Sequence, residues 1–235
     1  MFANSAHLYD AVYSFKDYRA ESERLHALIE KRSPGASRLL DVACGTGKHL
    51  EQLRAWYEVS GLDLDPQLVA VARERLGDVE LYEGDMTAFS LGRRFDAVTC
   101  LFSSIGYVGT VQRLREAIAA MAAHLNPGGV LIVEPWLTPN EWIADRPHLL
   151  SVDEPDLKIA RMTHSGRVGG LATMDFEYLV GTPAGIEAFA ERHEMALFTD
   201  EEYRRAFDAA GLSVEHDPEG LIGRGLYVTQ PVASA

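Results

Sequence analysis

The sequence predicts an α/β fold: a doubly wound, mostly parallel seven-stranded sheet that carries an antiparallel β insertion. Three observations predict it. Between residues 38 and 134, short apolar runs alternate with helical patterns. The segment Asp41-Val-Ala-Cys-Gly-Thr-Gly-Lys48 puts two glycines between the first of those runs and the next helix. After Pro135 the alternation stops, and strand-like runs separated by turn residues continue to Phe198.

Each element follows from local pattern. Residues 17–32 place Tyr18, Leu25, Leu28 and Ile29 on one helical face, and Pro34-Gly35 ends that helix. Arg38 to Cys44 is a buried strand, followed after the glycine turn by a helix from about His49 to Trp56. Tyr57–Asp63, Val79–Glu83, Phe95–Phe102 and Val130–Glu134 read as further strands, with helices at Pro66–Arg75 and Val111–His124 and a turn at Asn126–Gly129. In the insertion, Lys158–Ser165, Ala172–Val180 and Glu187–Leu197 are strands joined by hairpin turns at Gly169-Gly170 and Thr182–Gly185. A helix at Asp200–Ala210 ends at Gly211, and Leu212–Glu215 and Leu226–Thr229 close the sheet. The predicted division is a core of residues 1–137 and 197–235, interrupted by the insertion 138–196.

Composition narrows the function. A chain of 235 residues with 47% apolar residues is one sizeable packed domain, or one domain with a large insertion. Its 22 basic and 35 acidic residues give a net charge of −13, which argues against nucleic-acid binding, since phosphate neutralisation needs a basic face. Cys44 and Cys100 both sit in apolar runs, as expected of buried thiols in a reducing compartment. The N-terminal residues lack a basic region followed by an apolar run, and the longest uncharged stretch, Ala97 to Gln112, is broken by serines and glycines. The expectation is a soluble cytoplasmic protein with no membrane partner, and room for a homodimer.

The glycine turn is the strongest chemical signal. Gly45 and Gly47 let a ligand approach the backbone, and the following helix offers free N–H groups. A phosphate-binding loop fails, because Val42 and His49 stand where a glycine and a Ser or Thr are needed. A dinucleotide fingerprint is weakened by Leu50 at its third small position. S-adenosylmethionine, a sulfonium compound without phosphate, is the remaining option. Asp63, 16 positions after Gly47, can accept the two hydroxyls of a ribose, and Gly84-Asp85-Met86 supplies a carboxylate and a thioether for an adenine. Each acid is also readable as a loop aspartate capping the next helix.

The segments LDVACGTGKHLEQL, GLDLD, EGDM and FDAVTCLFSSIGY resemble the successive motifs of class I S-adenosylmethionine-dependent methyltransferases, and FTDEEYRRAFDAAGL resembles that family's late helix. A narrower resemblance runs over nearly the whole chain. The stretches LYD, LGRRF, FSSIGY, IVEPW, THS, LFTDEEY and GRGL are similar to those of the N,N-dimethyltransferases that act on dTDP-3-amino-deoxysugars in antibiotic pathways. SFKDY is shorter than the corresponding family segment.

The resemblance implies a cofactor set. Gly45 faces the methionine moiety, Asp63 with Leu64 the ribose, and Gly84, Asp85 and Met86 the adenine. Asp41, Ala43, Cys44 and Leu101 line the same site, Phe102 and Ser103 lie under the sulfonium, and Tyr9 and Tyr18 form an aromatic lid. Cys44 is also readable as plain core. On the acceptor side the resemblance implies Tyr107 near the sugar and Arg224 at the nucleotide diphosphate. A protein of charge −13 repels an anionic substrate at long range, so local arginines must hold it, with Arg161 and Arg167 as alternatives to Arg224. His164 and His193 fall in predicted strands; both read as structural, and His164 is carried as a substrate contact. Tyr107, Tyr9 and Glu134 are the candidates for orienting the acceptor, with Glu134 equally readable as a cap. The donor is intrinsically activated, so the protein aligns nucleophile, methyl and sulfur, and no metal is implied. Three alternatives stay open: a different amine or hydroxyl acceptor, a non-catalytic S-adenosylmethionine-binding protein, and a hydride-transferring enzyme.

Overall fold

A computed structural model describes residues 5–230, so the outermost ends of the two predicted core segments, 1–4 and 231–235, lie outside the described residues. The helix α2 (Tyr18–Arg32) starts where the Asp17 carboxylate accepts the Ala20 N–H at 2.9 Å, and it ends in Lys31 and Arg32, the cations its C-terminal dipole favours. A short α1 (Tyr9–Val12) precedes it. Five parallel strands follow: β1 (Arg38–Val42), β2 (Glu58–Asp63), β3 (Glu80–Glu83), β4 (Phe95–Cys100) and β5 (Leu125–Val133). Helices α3 (Lys48–Leu53), α4 (Pro66–Leu76) and α5 (Val111–Ala123) connect them. Asp65 caps α4, Pro66 occupies its first turn, and Thr110 caps α5.

Four antiparallel strands come next: β6 (Arg146–Glu154), β7 (Leu157–Val168), β8 (Leu171–Thr182) and β9 (Gly185–Ala196). The chain closes with α6 (Asp200–Ala209), whose Thr199 and Glu202 form a reciprocal capping box, and with β10 (Val214–Asp217) and β11 (Leu226–Thr229).

The main sheet runs β10-β11-β5-β4-β1-β2-β3, parallel except for β11, which pairs antiparallel with both β5 and β10. Because helices cover both faces, its central strands are apolar throughout: Leu39, Leu40, Ala97, Val98, Leu131 and Ile132 are fully buried. This is the predicted fold class. Among the described residues no helix is long and apolar enough to cross a membrane.

Two local readings change. The turn expected at Asn126–Gly129 is an irregularity inside β5, whose register with β4 jumps from Phe95–Leu125 to Ala97–Val130. Asp96 organises it, accepting from Asn126 Nδ2 at 2.8 Å, and Gly129 passes so close that a Cβ would lie 2.9 Å from the Asn126 carbonyl oxygen. The strand β6 was not among the strands expected. It is an edge strand that pairs only with β7 and carries Arg146, Pro147, His148 and Asp153, so it shows no apolar alternation.

Candidate active site

A cavity of about 830 Å³ opens at the carboxyl ends of β1, β2 and β4, and the inner face of the four-stranded sheet roofs it. A narrow branch of about 20 Å³ continues beside the glycine turn. The N-terminal segment lies across both: Tyr9 lines the two spaces, and Leu8 and Val12 pack on Ile159, Phe176, Tyr178 and Val180 of the roof.

Most of the predicted residues converge here. Tyr9, Ala43, Gly45, Asp63, Leu64, Gly84, Asp85, Met86, Phe102, Tyr107, Arg161 and Arg224 line the main cavity. Tyr18, Asp41, Cys44 and Leu101 line the branch. The wall is backbone-rich at the glycine turn, where a Cβ on Gly45, at φ +56°, would project into open space. Ala43, Phe102 and Ser103 also hold positive φ, a strained conformation for residues with side chains, and all three sit at or directly behind the cavity wall. An extended cofactor with a cationic centre fits this cleft: Asp41, Thr46, Lys48 and His49 are among the residues lining the narrow branch, and the buried Asp63 and half-buried Asp85 stand along the main wall.

Those carboxylates are already organised by backbone. Asp63 Oδ2 accepts from Gly45 N at 2.8 Å and Oδ1 from Asp65 N at 2.9 Å, so one side chain ties the glycine turn to the end of β2. Burial raises its pKa, against the pull of those N–H groups. Burial also presses upward on Asp85, but the Thr87 N–H, the Arg113 guanidinium and the Thr87 hydroxyl outweigh it and hold the group below its usual value. Asp85 thus caps its own turn and still faces the cavity.

Burial pushes the Asp41 carboxyl up to about 6, against the opposing influence of His49 and the Thr99 hydroxyl, which donates to it at 2.7 Å. The unfolded value lies near 4. The folded state therefore holds a proton between about pH 4 and 6 that the unfolded chain has released, and stability from this group is full below pH 4 and lost as pH rises to about 6. Asp41→Asn keeps the Thr99 contact without the charge. It is expected to raise stability at pH 8 by roughly 2 kcal/mol and to change nothing below pH 4. Thermal melts of both proteins without ligand across that range check it; equal melting at pH 8 is the contrary result.

Three predicted residues are corrected. His164 is exposed on the outer face of β7, because side chains alternate and it is Arg161, Thr163 and Ser165 that point into the cavity. Glu134 is fully buried behind the wall, not in it: its Oε2 accepts the Phe102 N–H at 2.6 Å, which pins the strained Phe102-Ser103 turn. Burial raises the Glu134 pKa, with Lys16 opposing. Ser103 is likewise behind the wall, its hydroxyl donating to the Pro135 carbonyl at 2.6 Å and accepting from Arg224 Nη1 at 3.1 Å.

The structure adds residues that sequence reasoning missed. Lys16 is buried against Glu21 at 2.9 Å, the same carboxylate oxygen lies 2.8 Å from His49 Nε2, and the Lys16 ammonium stands 4.0 Å from the Phe102 ring centre. Tyr13 lies between Tyr9 and Phe102, its ring tilted against the first at 4.7 Å and edge-on to the second at 5.1 Å. His193, expected as a structural histidine, lines the cavity and bonds the Tyr107 hydroxyl at 2.7 Å. Single aromatic or charged residues outside any motif carry no sequence signal for this.

The cavity has chemically distinct ends. Near β1–β3 it is acidic. Its other walls carry Arg146, Arg161 and Arg224, together with Glu141, whose carboxylate accepts from the Thr138 N–H and hydroxyl. The Arg224 guanidinium lies 4.9 Å from the Trp136 ring and 5.3 Å from Phe102, and Arg161 lies 4.7 Å from Phe176. Arg113, which also lines the cavity, holds Asp85, and elsewhere Arg24, Arg32, Arg73, Arg75 and Arg93 each hold a carboxylate. Among the described residues no carboxylate pairs with Arg146, Arg161, Arg167 or Arg224; Arg167 spends its guanidinium on the Gly169 and Pro139 carbonyls outside the cavity. Arg161 and Arg224, half-buried and without a carboxylate partner among the described residues of a protein of charge −13, are poised for an anion, while Arg146 is exposed.

Comparison with known proteins agrees with this geometry. A family model described as a methyltransferase domain matches residues 39–129. The chain is 46% identical, over 97% of its length and 91% of the relative, to a dTDP-3-amino-3,6-dideoxy-alpha-D-glucopyranose N,N-dimethyltransferase of Streptomyces fradiae. It superposes on the crystal structure of Streptomyces venezuelae DesVI with a TM-score of 0.93 and 42% identity, covering 98% of this chain and 99% of that one. With S-adenosylmethionine-bound CalS10, an amino pentose methyltransferase of Micromonospora echinaspora, the TM-score is 0.88 and the identity 43%, over 96% and 97% of the two chains. Full-length identity at this level, on the fold and the glycine turn described above, shows that the chain belongs to the family of S-adenosylmethionine-dependent sugar N-methyltransferases.

Proposed function

We propose that this enzyme transfers methyl groups from S-adenosylmethionine to the amino group of a dTDP-linked amino-deoxysugar, twice in succession. The observation that carries the reading is one cavity that holds Asp63 and Asp85 near the glycine turn and, on its other walls, Arg161 and Arg224, which pair with no carboxylate among the described residues. A volume of about 830 Å³ is at the upper end for a small-molecule site, as two ligands lying head to head require. The activity for which the Streptomyces fradiae relative is named supports the acceptor class.

When bound, S-adenosylmethionine supplies an activated methyl group. The chain's own work is to hold and align. Asp63, Leu64, Asp85 and Met86 would take the nucleoside of the donor, and Gly45 with the branch residues Tyr18, Asp41, Cys44 and Leu101 its amino-acid part. Arg224 and Arg161 would hold the acceptor diphosphate, Arg224 already oriented by Ser103 and by the two rings beside it. Tyr9 and Tyr13 close the middle and exclude water. Tyr107 would hydrogen-bond the acceptor nitrogen. No residue is needed as a metal ligand in this scheme.

The test is incubation with S-adenosylmethionine and a dTDP-3-amino-deoxysugar, read by mass spectrometry. The expected products carry one and then two added methyl groups on nitrogen. Transfer to a hydroxyl, or to an amine lacking the nucleotide in preference to one carrying it, would overturn the acceptor assignment.

A further inference from the structure

A buried chain of polar groups leads away from the reaction end of the cavity, through residues the alignment of donor and acceptor does not require. Tyr107, in the 3-10 turn Ser104–Val108, bonds His193 Nδ1 through its hydroxyl at 2.7 Å. His193 sits on the inner face of β9 and is 3% exposed. Two residues earlier on that face, Glu191 places Oε2 3.6 Å from His193 Nε2. Glu191 is held in turn by Ser5, whose N–H and hydroxyl donate to its two oxygens at 2.9 and 2.6 Å. The Phe176 ring meets the imidazole edge-on at 4.9 Å and fixes its plane. Tyr107 and His193 line the cavity, and Glu191 lies behind them.

We infer that Tyr107, His193 and Glu191 form a proton relay that strips the acceptor ammonium inside the closed site, Tyr107 touching the amine and His193 and Glu191 acting through it. The inference rests on the amine-acceptor reading above. An alkyl ammonium releases its proton only at about pH 8–10, so near neutrality the acceptor arrives charged and without a lone pair. Methyl transfer forms a nitrogen–carbon bond while the carbon–sulfur pair stays on sulfur, and it leaves a methylammonium that must lose a proton before a second transfer. In each round the ammonium proton passes to the Tyr107 oxygen as the phenolic proton moves to His193 Nδ1. The imidazolium formed is balanced by Glu191 and discharges to water when the products leave.

The surroundings suit a conduit. Burial, with Tyr13, Tyr178 and Glu191 adding to it and Arg161 opposing, raises the Tyr107 phenol, so it donates to Nδ1 and the neutral ring carries its own proton on Nε2, toward Glu191. Burial lowers the His193 pKa while Glu191 opposes and Arg161 on β7 adds to the lowering, so the ring is neutral and able to accept. Met174 on β8 pairs opposite it without charge.

The experiment is the pH profile of kcat in His193→Gln and in Tyr107→Phe, which keeps the aromatic ring and its packing. The wild type should hold its kcat through neutrality. Both variants should lose about tenfold to a hundredfold near pH 7 and recover toward wild type near pH 10, where the amine deprotonates in solution. Glu191→Gln should follow the same profile with a smaller loss, and KM for the sugar should move little in all three. A loss independent of pH, a loss confined to KM, or an unchanged profile overturns the relay. If the wild type methylates no amine, the acceptor reading fails instead, and the two failures are told apart by the wild-type control.

Discussion

Asp63→Ala is expected to weaken S-adenosylmethionine binding by about a hundredfold, near 3 kcal/mol, the worth of one to two charge-assisted hydrogen bonds. Two losses combine. The alanine cannot accept the donor's ribose hydroxyls, and it releases Gly45 N and Asp65 N, which the carboxylate now holds at 2.8 and 2.9 Å. The glycine turn would then lose the tie that shapes it, although Gly61 nearby still packs β2 against it so closely that a Cβ would meet Cys44 Sγ at 2.7 Å. Calorimetric titration measures the affinity directly, and a melt without ligand separates it from unfolding. A dissociation constant within threefold of the parent's would take Asp63 out of the donor site.

Arg224→Ala is expected to raise KM for the nucleotide sugar about tenfold to a hundredfold, about 1.4–2.8 kcal/mol. A desolvated bidentate contact to phosphate is worth more than this and a wet one less. Arg224 is half-buried between Trp136 and Phe102, which places it between those limits. Its pKa is lowered by burial, which Glu134 opposes, so the guanidinium is a cation short of a counter-ion. Arg224→Lys keeps the charge but not the fork and should fall between parent and alanine. The parent's KM should also rise with salt. Inhibition by dTDP alone reads the same contact without turnover. If dTDP inhibits the alanine variant as well as the parent, the diphosphate is held elsewhere, with Arg146 and Arg161 as the remaining lining arginines that pair with no carboxylate among the described residues.

Much of the cavity wall around the glycine turn was legible in the chain. Asp41 to Lys48, Asp63 and Gly84 to Met86 lie at the ends of successive parallel strands, and such ends necessarily meet along one edge of a sheet. The wall carrying Arg161 and Arg224 was legible only in part. Arg224 and Arg161 were named, but so was His164, because which of two alternating residues faces a cavity depends on the parity of β7 and on which side of the small sheet is covered. Glu134 was placed correctly at the end of β5, and its burial behind the Phe102 turn was not foreseeable.

By itself the sequence determined the α/β alternation, the glycine turn, the carboxylates after the second and third strands and the place of the antiparallel insertion. Periodicity, turn chemistry and strand-end position are properties of neighbouring residues, so they can be read along the chain. Only the tertiary structure decided that Tyr107 meets His193 across 86 positions, that Ser5 holds Glu191 across 186, and that Lys16, Glu21 and His49 share one buried site. It also decided that Arg146, Arg161 and Arg224 have no carboxylate partner among the described residues. These pairings depend on how the roof sheet and the N-terminal segment dock on the main sheet, and docking is set by the packing of whole faces, which no local pattern encodes.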